Sequence, residues 1–431
     1  MNDLNQLAQN LMELDDLMVA CMKCGMCQAV CPVFSETMKE ADVTRGKIAL
    51  LEKLAHEMVK DADQVNEKLN RCLLCGSCAA NCPSGVKIMD IFMKARVIVT
   101  SYKGLSPAKK LIFKGLLTRP KLFNLLTDMS AKFQGPFSKV ADQAAHTASC
   151  AMLNPLIGER HFNPLATRPF RKDYPEVDTP RGTSGLKVAF FPGCVVDKMF
   201  PNVGHAAMKI FEYHGVGVFL PKGQACCGIP TLASGDADTM VDLMKQNMKA
   251  FEAGSFDYLV TPCATCTATI HETWPKMIEK EDTLFREKVE ALAAKTMDIN
   301  AFLVDVLGVK TPSESKKGGK VVTYHDPCHL SKSLGVSAQP RALLKANESY
   351  EFKEMNEANR CCGCGGSFNL YHYDLSKSIG QRKAKNVRDV GAQVAATGCP
   401  ACMMQLGDML SQSGGGVEVK HVLEIYADSL R

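Results

Sequence analysis

Two runs of cysteines near the start of the sequence have the spacing of ligands to iron. Each run has the form C-x2-C-x2-C-x3-C and is followed by proline. The first run contains Cys21, Cys24, Cys27 and Cys31, and the second contains Cys72, Cys75, Cys78 and Cys82. Thiolates two or three residues apart can converge on one soft metal centre, and the proline turns the chain away from it. The runs predict two cubane [4Fe-4S] clusters rather than zinc ribbons, because zinc does not account for the doubled x3-C-P ending.

The two runs resemble those of two-cluster bacterial ferredoxins, in which the fourth cysteine of each run serves the other cluster. The resemblance implies that Cys21, Cys24, Cys27 and Cys82 hold cluster 1, and that Cys72, Cys75, Cys78 and Cys31 hold cluster 2. The long insertion between the runs is similar to that of succinate-dehydrogenase-type ferredoxin domains, which are helical. Crossed ligation is therefore expected to join residues 21–82 into one domain.

Ten further cysteines form two copies of one pattern. The first copy contains Cys194, Cys226, Cys227, Cys263 and Cys266, and the second contains Cys328, Cys361, Cys362, Cys399 and Cys402. The flanking letters repeat as well, with FFPGC matching YHDPC and TPCATC matching TGCPAC. Two homologous domains of about 135 residues are predicted. Ordinary buried apolar cysteines would not recur in this paired way, so each copy is predicted to be a functional site.

Four other residues near these motifs are candidates for a role in the sites. Cys364 lies inside CCGCGG, where a small residue in a glycine-rich bend is the favoured interpretation over an extra thiol. Cys150 is isolated and is not expected to be a ligand. His325 and His329 flank Cys328, where they could tune a cluster by hydrogen bonding to sulfur. A structural role is the favoured interpretation for both histidines.

The elements that must position these cysteines can be read from the apolar pattern. Strands are predicted at residues 187–191, 216–220, 258–261, 321–324 and 394–397. Helices are predicted at residues 203–214, 239–253, 374–390 and 401–410. Alternating strands and helices predict a parallel sheet in each repeat. Most of the ten cysteines then follow the carboxyl ends of strands, where open α/β sheets place their sites.

The segments outside the repeats are predicted to be mainly helical. Residues 3–20 and 44–70 each place apolar residues at helical spacing, with Thr44 as a candidate N-cap. Residues 101–126 combine six basic side chains with leucine, isoleucine and phenylalanine, which predicts a basic amphipathic helix. Packing of this helix on its own protein is favoured over contact with an anionic membrane. The proline-rich residues 150–186 are predicted to be a linker.

Composition excludes several classes of protein. The 431 residues are 46% hydrophobic and 23% charged, with a net charge of +5, which is too small and dispersed for a nucleic-acid partner. Neither an apolar run of membrane-spanning length nor a basic leader is present at the sequence level. Twenty cysteines, many of them clustered in C-x-x-C spacings, favour metal ligation in a reducing cytoplasm over disulfides. No G-x-G-x-x-G motif is present, so no flavin is expected on this chain.

The repeat resembles the cysteine-rich CCG domain of heterodisulfide reductases. RGKIALLE at residues 45–52 and LNRCLLCGSCAANCPSGVK at residues 69–87 resemble the glycolate oxidase iron-sulfur subunit. PGCVVDKMFPNVG is similar to the iron-sulfur subunit of anaerobic glycerol-3-phosphate dehydrogenase. The heterodisulfide reductase resemblance implies that the five cysteines of each copy hold a noncubane [4Fe-4S] cluster. Spacing alone also allows a cubane cluster with a spare thiol, or zinc.

The predicted fold class is α+β overall, with a helical two-cluster ferredoxin-like domain followed by two repeated α/β CCG domains. The predicted domains are 1–100 for the cluster domain, 101–186 for the basic segment and linker, 187–312 for the first CCG domain and 320–431 for the second. Two cubane clusters and two further [4Fe-4S] clusters are the expected cofactors. The cytoplasm is the expected location, with a peripheral position on the inner membrane as an option.

The family resemblance implies an oxidoreductase subunit that is not catalytic alone. It would carry electrons from a separate FAD subunit that oxidises glycolate or D-lactate to quinone or another membrane-side acceptor. Three alternatives are kept: a heterodisulfide-reductase-like catalyst that cleaves a disulfide at a CCG cluster, the glycerol-3-phosphate version, and a redox or iron sensor. The sequence does not choose between the substrates.

Overall fold

A computed structural model describes residues 4–151, 158–278 and 281–430. The chain divides into two compact units. Unit 1 consists of Met1–Gly115, Gly228–Met240 and Gly363–Ile379, and unit 2 of Leu116–Cys227, Val241–Cys362 and Gly380–Arg431. All eight cysteines of the first two runs lie in unit 1, and all ten cysteines of the repeat lie in unit 2. The four-domain division drawn from the sequence stays a prediction.

Unit 1 is built from helices. Its first segment contains Leu4–Met12, Asp15–Met18, Met26–Val30, Pro32–Thr37, the 3-10 turn Glu40–Asp42, Thr44–Ala55, Ala62–Asn70, Ser77–Ala80, Ile88–Lys103 and Pro107–Lys110. Ile229–Ala233 and Ser367–Tyr371 come from the two later segments. The apolar residues of the amphipathic helices meet in one core, which includes Leu11, Ile48, Leu69 and Phe92. Burial of these side chains is the main force that holds the helices around the cysteine runs.

Two helices predicted in unit 1 are each divided in the structure. The helix predicted over residues 3–20 ends at Met12 and resumes over Asp15–Met18, although Leu7, Leu11, Leu14 and Met18 are all buried as expected. The helix predicted over residues 44–70 stops at Ala55, and a second helix starts at Ala62. Left-handed Glu57 makes the break, and the Asp61 carboxylate caps the second helix by accepting from the Gln64 N–H at 2.9 Å.

Two further predictions for residues 44–70 are wrong, one for Met58 and one for Thr44. The helical pattern places Met58 on the buried face, but its side chain is exposed. The pattern also makes Thr44 the N-cap of its helix, but Val43 occupies that position and Thr44 is the first helical residue. Thr44 is buried there, and its hydroxyl is available for a different contact, which is described with the cysteine sites.

Unit 2 contains two sheets of similar topology. The strands are β1 (Lys139–Asp142), β2 (Thr147–Ser149), β3 (Val177–Asp178), β4 (Lys187–Phe190), β5 (Gly217–Leu220), β6 (Tyr258–Thr261), β7 (Thr296–Asp298), β8 (Lys320–His325), β9 (Tyr350–Phe352), β10 (Val394–Thr397) and β11 (Glu418–His421). The first sheet has the order β3-β5-β4-β6-β7, and the second has the order β11-β10-β8-β9. All neighbours are parallel except β3 and β5, while β1 and β2 form a separate antiparallel pair.

The two sheets confirm the internal repeat. The order β5-β4-β6-β7 in the first repeat corresponds to β9-β8-β10-β11 in the second. The five predicted strands are present within one residue of their predicted bounds. Four strands of these two sheets were missed: β3, β7, β9 and β11. Each is only two to four residues long and lies at a sheet edge, so none has an apolar run long enough to be recognised.

Helices cover the sheets of unit 2. They include Pro201–Tyr213, Thr283–Ala294, Ala338–Lys345, Pro400–Gln412 and Val422–Ser429. Two more helices, Ala237–Phe251 and Tyr373–Asp389, begin in a stretch of chain that belongs to unit 1 and end in one that belongs to unit 2. Shorter helices are Gly135–Phe137, Phe170–Asp173, Cys194–Lys198, Ala264–Ala268, Trp274–Lys276 and Ile299–Ala301, and π-helical turns lie at Thr269–Thr273, Phe302–Val306 and His329–Ser333. The four helices predicted in the repeats are present within two residues of their predicted bounds. The mixed helical and parallel-sheet fold is confirmed.

The basic segment is not the single helix predicted over residues 101–126. The preceding helix ends at Lys103, Gly104 follows with a positive φ of 77°, and a short helix starts at Pro107. A π-helical turn over Leu111–Leu117 follows, and Pro120 starts the helix Pro120–Phe133. Glycine and proline interrupt the pattern because neither supports a helix interior. Among the described residues, no helix is long and apolar enough to cross a bilayer.

The described part of the proline-rich stretch is packed against the first repeat. Phe170 is completely buried, and its ring lies 6.0 Å from that of Phe190. The Arg171 guanidinium donates to the backbone oxygen of Gln224 at 2.9 Å. Residues 152–157 of the predicted linker lie outside the described residues. The described remainder therefore supplies buried contacts beside Cys226.

Candidate iron-sulfur sites

The two cysteine runs of unit 1 line two neighbouring cavities. Cys31, Cys72, Cys75 and Cys78 line one cavity, called here the Cys72 cavity. Cys21, Cys24, Cys27 and Cys82 line the other, called here the Cys21 cavity. The Cys72 cavity thus receives three cysteines from the second run and Cys31 from the first, while the Cys21 cavity receives three from the first run and Cys82 from the second, with Cys78 also on its wall. The structure brings together the two sets that the resemblance to bacterial ferredoxins implies.

The backbone follows the same course in both runs. Lys23 and Leu74, each two residues after the first cysteine, have left-handed φ angles of 54° and 51°. Gly25 and Gly76, two residues further on, have φ angles of 89° and 69°. Left-handed residues that are not glycine are costly, so their recurrence at matching positions marks a functional loop. These loops turn successive thiols towards the same cavity.

The helix Thr44–Ala55 begins between the two cavities. Thr44 and Cys78 line both of them, and the Thr44 hydroxyl partly offsets the rise that burial causes in the pKa of the Cys78 thiol. Lys47 lines the Cys72 cavity, and Arg45 lines the Cys21 cavity. Thr44 and Cys78 are therefore a wall common to both sites, with one basic side chain of the same helix on either side.

Two buried cations accompany the Cys72 cavity. The Lys47 ammonium group donates to the backbone oxygen of Asp42, and the lysine is only 2% exposed. Arg96 is also buried and donates to the backbone oxygens of Cys72 and Leu69, at 2.9 and 2.7 Å. A [4Fe-4S] cluster with four thiolates carries net negative charge, which these cations would offset. Four thiols and two buried cations fit such a cluster.

Burial also affects the acidity of the thiols in the Cys72 cavity. Desolvation raises the pKa of Cys31 to about 11, partly offset by the Phe34 N–H, which lies 3.5 Å from the Cys31 sulfur. Desolvation raises the pKa of Cys78 as well, with Cys72 adding to the effect. Only a positively charged centre would hold such thiols deprotonated at neutral pH, as ligation requires.

The Cys21 cavity has a more exposed basic partner. The Arg45 guanidinium donates to the backbone oxygen of Lys23 at 3.2 Å and pairs with the Glu40 carboxylate at 2.5 Å. Cys24 is exposed, whereas every cysteine of the Cys72 cavity is at least partly buried. The two cavities therefore differ in their access to solvent and in the environment of their cations.

The cysteines of the first repeat follow three adjacent parallel strands, as predicted. Cys194 comes after β4, Cys226 and Cys227 after β5, and Cys263 and Cys266 after β6. Hydrogen-bond contacts join Cys194 to Cys226, and Cys266 to Cys227 and Cys263. The contact with Cys226 and burial raise the pKa of the Cys194 thiol well above its usual range. The five predicted thiols thus gather at one edge of the sheet.

The second repeat gathers its thiols in the same way, with additional basic groups. Cys362 contacts Cys361 and Cys402, and Cys399 contacts Cys402. Those contacts, with a smaller effect from His325, lower the pKa of the Cys362 thiol. The Lys332 ammonium lies 3.9 Å from the Cys328 sulfur. Lys383 is buried and close enough to Cys362, Cys328 and Cys361 to interact with them electrostatically.

His325 distinguishes the second repeat from the first. The ring is completely buried, and one of its nitrogens lies within 4.8 Å of the Cys362 and Cys402 sulfurs. Phe191 occupies the corresponding place in FFPGC. Five soft thiols fit an iron-sulfur cluster in either repeat. The His325, Cys362 and Cys402 group also has the donor types of a zinc site, so the donor set alone leaves the zinc alternative open there.

The two five-cysteine sites lie against each other, which the sequence did not predict. The Cys263 and Cys399 thiols lie close enough to shift each other's pKa, although they belong to different repeats. The Ala264 N–H donates to the backbone oxygen of Gly398 at 3.2 Å, and the Thr265 hydroxyl lies 3.6 Å from the Cys399 sulfur. The matching loops TPCATC and TGCPAC thus make the contact between the repeats.

Cys150, Cys364 and His329 are the remaining candidate residues. Cys150 is buried, and Cys364 is half-buried with its backbone oxygen accepting from the Asn369 N–H at 3.1 Å. Gly363, Gly365 and Gly366 around Cys364 all have positive φ, as a glycine-rich bend requires. His329 places its Nδ1 atom 3.2 Å from the Thr265 hydroxyl.

Sequence reasoning missed the buried cations. Lys47 follows Thr44 by three residues and precedes Leu51 by four, so it lies on the buried face of its helix. Arg96 occupies the same kind of position in Ile88–Lys103, four residues after Phe92. A basic residue in register with an apolar stripe was a signal that could have identified both residues.

Comparisons with known proteins agree with these sites. Residues 18–86 match the 4Fe-4S dicluster domain, and residues 188–271 and 322–407 each match the cysteine-rich domain. The chain is 30% identical to a "probable glycolate oxidase iron-sulfur subunit" of Bacillus subtilis, over 95% of this chain and 93% of the relative. The chain belongs to the glycolate oxidase iron-sulfur subunit family. It is an iron-sulfur protein and an oxidoreductase subunit.

Two other relatives carry names that differ from that of the first. A subunit of the "fumarate reductase (CoM/CoB)" of Methanothermobacter marburgensis is 28% identical over 94% of this chain and 71% of its own length. "Lactate utilization protein A" of Bacillus pumilus is 33% identical over 56% of this chain and 98% of its own length. The chain is therefore similar to proteins whose names refer to different substrates.

Proposed function

We propose that this chain is the electron-transfer subunit of a flavin-dependent 2-hydroxyacid dehydrogenase complex, acting on glycolate or D-lactate. A separate FAD subunit would oxidise the substrate, and electrons would leave towards quinone or another membrane-side acceptor. The complex would lie in the cytoplasm or on the cytoplasmic face of the inner membrane. The names of the relatives from the two Bacillus species support the substrate class.

The observation that carries the relay role is the common wall between the two cavities of unit 1. When bound, [4Fe-4S] clusters supply reversible one-electron chemistry. We propose Cys21, Cys24, Cys27 and Cys82 as the ligands of cluster 1, and Cys72, Cys75, Cys78 and Cys31 as those of cluster 2. Thr44 and Cys78 line both sites, so the two sites are neighbours. Lys47 and Arg96 would stabilise the negative charge of cluster 2.

The repeats are proposed to hold the two remaining [4Fe-4S] clusters. Their ligands would be Cys194, Cys226, Cys227, Cys263 and Cys266 in the first repeat, and Cys328, Cys361, Cys362, Cys399 and Cys402 in the second. The proximity of Cys263 and Cys399 supports direct electron transfer between these two sites. Burial of most of these thiols would exclude water from both.

Purification of the native complex tests the proposal. The chain, isolated anaerobically from its own host, should bring with it a flavoprotein whose flavin is bleached by glycolate or by D-lactate. Cluster signals in the EPR spectrum should then appear in the same sample. Absence of a flavoprotein, or a flavin reduced by neither acid, would contradict the proposal. A flavin reduced by glycerol 3-phosphate instead would point to the glycerol-3-phosphate version.

A second function, cleavage of a disulfide at a repeat site, is favoured by two observations. The M. marburgensis relative is named for CoM and CoB, and the two five-cysteine sites are in contact through Cys263 and Cys399. The isolated chain would then reduce a disulfide with electrons from an artificial donor. This second function would be rejected if the chain reduces no disulfide and is active only together with a flavoprotein and a hydroxyacid.

A further inference from the structure

The helix Pro120–Phe133 presents an apolar stripe to solvent. Leu122, Leu125, Leu126, Met129 and Phe133 are between 37% and 65% exposed. Their spacing places all five within an arc of about 100° on the helix surface. Ala131, on the opposite side of the helix, is buried. The apolar face thus points away from unit 2, contrary to the packing that the sequence favoured.

Contacts on the inner side hold the helix in this orientation. The Gln134 side chain makes two hydrogen bonds to the backbone of Leu165, at 2.6 and 2.9 Å. The Asp128 carboxylate pairs with the Lys172 ammonium at 2.9 Å. Exposure of the stripe is therefore a property of an anchored helix. A contiguous apolar surface of this kind usually marks a site of association.

The charge around the stripe indicates what covers it. Residues 101–139 contain eight basic side chains and one acidic side chain, Asp128. The whole chain has a net charge of +5, so the remainder carries a small net negative charge. Arg119, Lys121 and Lys132 are exposed beside the stripe in unit 2. Apolar side chains flanked by cations are the pattern of helices that lie in the interface of an anionic bilayer.

We infer that the helix Pro120–Phe133 docks this protein on an anionic phospholipid surface. The five apolar side chains of the stripe enter the boundary between headgroups and acyl chains, and Arg119, Lys121 and Lys132 contact lipid phosphates. The inference does not depend on the substrate. Its test uses vesicles without substrate, so its failure and the failure of the proposed hydroxyacid role can be distinguished.

Vesicle flotation tests this inference with the full-length, cluster-loaded protein. The wild-type protein should float with vesicles of phosphatidylglycerol and phosphatidylcholine, but not with phosphatidylcholine alone, and high salt should weaken the binding. The double variant Leu125→Glu with Met129→Glu should reduce the bound fraction about tenfold. Leu284→Glu is the matched control, because Leu284 is 63% exposed on another helix of the same unit and should leave binding unchanged.

Three outcomes would overturn the inference. The wild-type protein could fail to bind the anionic vesicles, or the double variant could bind them as well as the wild type does. In a third outcome, the wild-type protein would not bind the vesicles, and the double variant would lose a protein that co-purifies with the wild type. The stripe would then be a protein interface. Iron content and the visible spectrum of each variant show whether it has folded and kept its clusters.

Discussion

At the scale of single residues, the two cavities of unit 1 differ most in their cations. Lys47 is buried beside the Cys72 cavity, whereas Arg45, two residues earlier on the same helix, is partly exposed and paired with Glu40. A buried charge acts through a lower dielectric than an exposed one, so it has the larger effect on a nearby cluster. The two residues form a natural pair of test and control.

Replacement of Lys47 by Met should make the potential of one of the two ferredoxin-type clusters more negative. The positive charge favours the reduced cluster, which carries one more negative charge, so its loss should shift the midpoint by about 60 mV, a tenfold change for one electron. Potentiometric titration followed by EPR measures this shift. Arg45→Met should shift the other cluster by less. Equal shifts in the two variants would contradict the role assigned to burial.

His325 is the second residue with a specific prediction. His325→Phe makes the second repeat match the first at this position, where Phe191 stands. Loss of a hydrogen-bonding group beside the Cys362 and Cys402 sulfurs should alter the EPR signal of one repeat cluster and make its potential more negative by tens of millivolts, about the effect of one hydrogen bond. His205→Phe is the control, because His205 is half-exposed and pairs with Asp173. If the spectrum and the iron content are unchanged, His325 contributes only to packing.

The sequence predicted the thiols far better than their surroundings. Spacing placed the cysteines in runs and in a repeat, because ligands in one loop are close in sequence, and the family resemblances supplied the ligand sets. Lys383 and Cys362 are 21 positions apart, and Cys263 and Cys399 are 136 apart, so their proximity depends on how the strands are ordered in space. No local pattern contains that information. Arg96 was recognisable as a buried cation, but its contact with the Cys72 oxygen was not.

At the scale of elements, Gly235 fixes how closely one segment approaches the helix Ile88–Lys103 inside unit 1. A methyl group at Gly235 would overlap the backbone oxygen of Arg96 and the hydroxyl of Thr100. The Thr100 hydroxyl and Arg96 guanidinium also donate to the backbone of Ser234 and Ala233, at 3.1 and 2.8 Å. The segment that follows the first CCG motif is therefore fastened to the helix that carries Arg96.

Gly235→Ala should destabilise the protein more than a comparable glycine change without a neighbour. The clash and the left-handed φ of 84° should together cost about 2–4 kcal/mol. Gly308→Ala is the control, since Gly308 is also left-handed but has open space around it, and should cost about 1 kcal/mol. Urea midpoints measured on loaded protein compare the two. Equal midpoints would show that the segment can move away from the helix without penalty.

Elements with a strong internal pattern were predicted well. Strands β4, β5, β6, β8 and β10 are buried runs of apolar residues, and each was found within a residue. Long helices were misjudged where the chain breaks them with a local signal that the apolar pattern hides, as at Glu57 or Gly104. The orientation of Pro120–Phe133 was also missed, because periodicity identifies an apolar face but not what that face contacts.

At the scale of the whole molecule, the proposal of crossed ligation predicts how iron is lost from double variants. If Cys31 belongs with Cys75, then Cys31→Ser, Cys75→Ser and the double variant should each lose about four irons, because one cluster is removed in every case. Cys31→Ser combined with Cys24→Ser should lose about eight. Iron and acid-labile sulfide assays on anaerobically purified protein measure both quantities.

The reverse result would assign each run to its own cluster. In that case the combination of Cys31 and Cys24 variants would lose about four irons, and the combination of Cys31 and Cys75 variants about eight. Cys150→Ser is the matched control, since Cys150 is a buried thiol outside both cavities. A wild-type total near sixteen irons would support four tetranuclear clusters, and a total near eight, with or without zinc, would contradict clusters in the repeats.

The division of unit 1 among three stretches of chain also has a consequence for biosynthesis. Gly228–Met240 and Gly363–Ile379 leave the ribosome long after Met1–Gly115, yet they complete the same compact unit. The early stretch, with all eight cysteines of the two runs, must therefore wait for most of the polypeptide before it gains its full set of contacts. Delivery of iron and sulfide to this unit is then expected to finish after translation has passed Ile379.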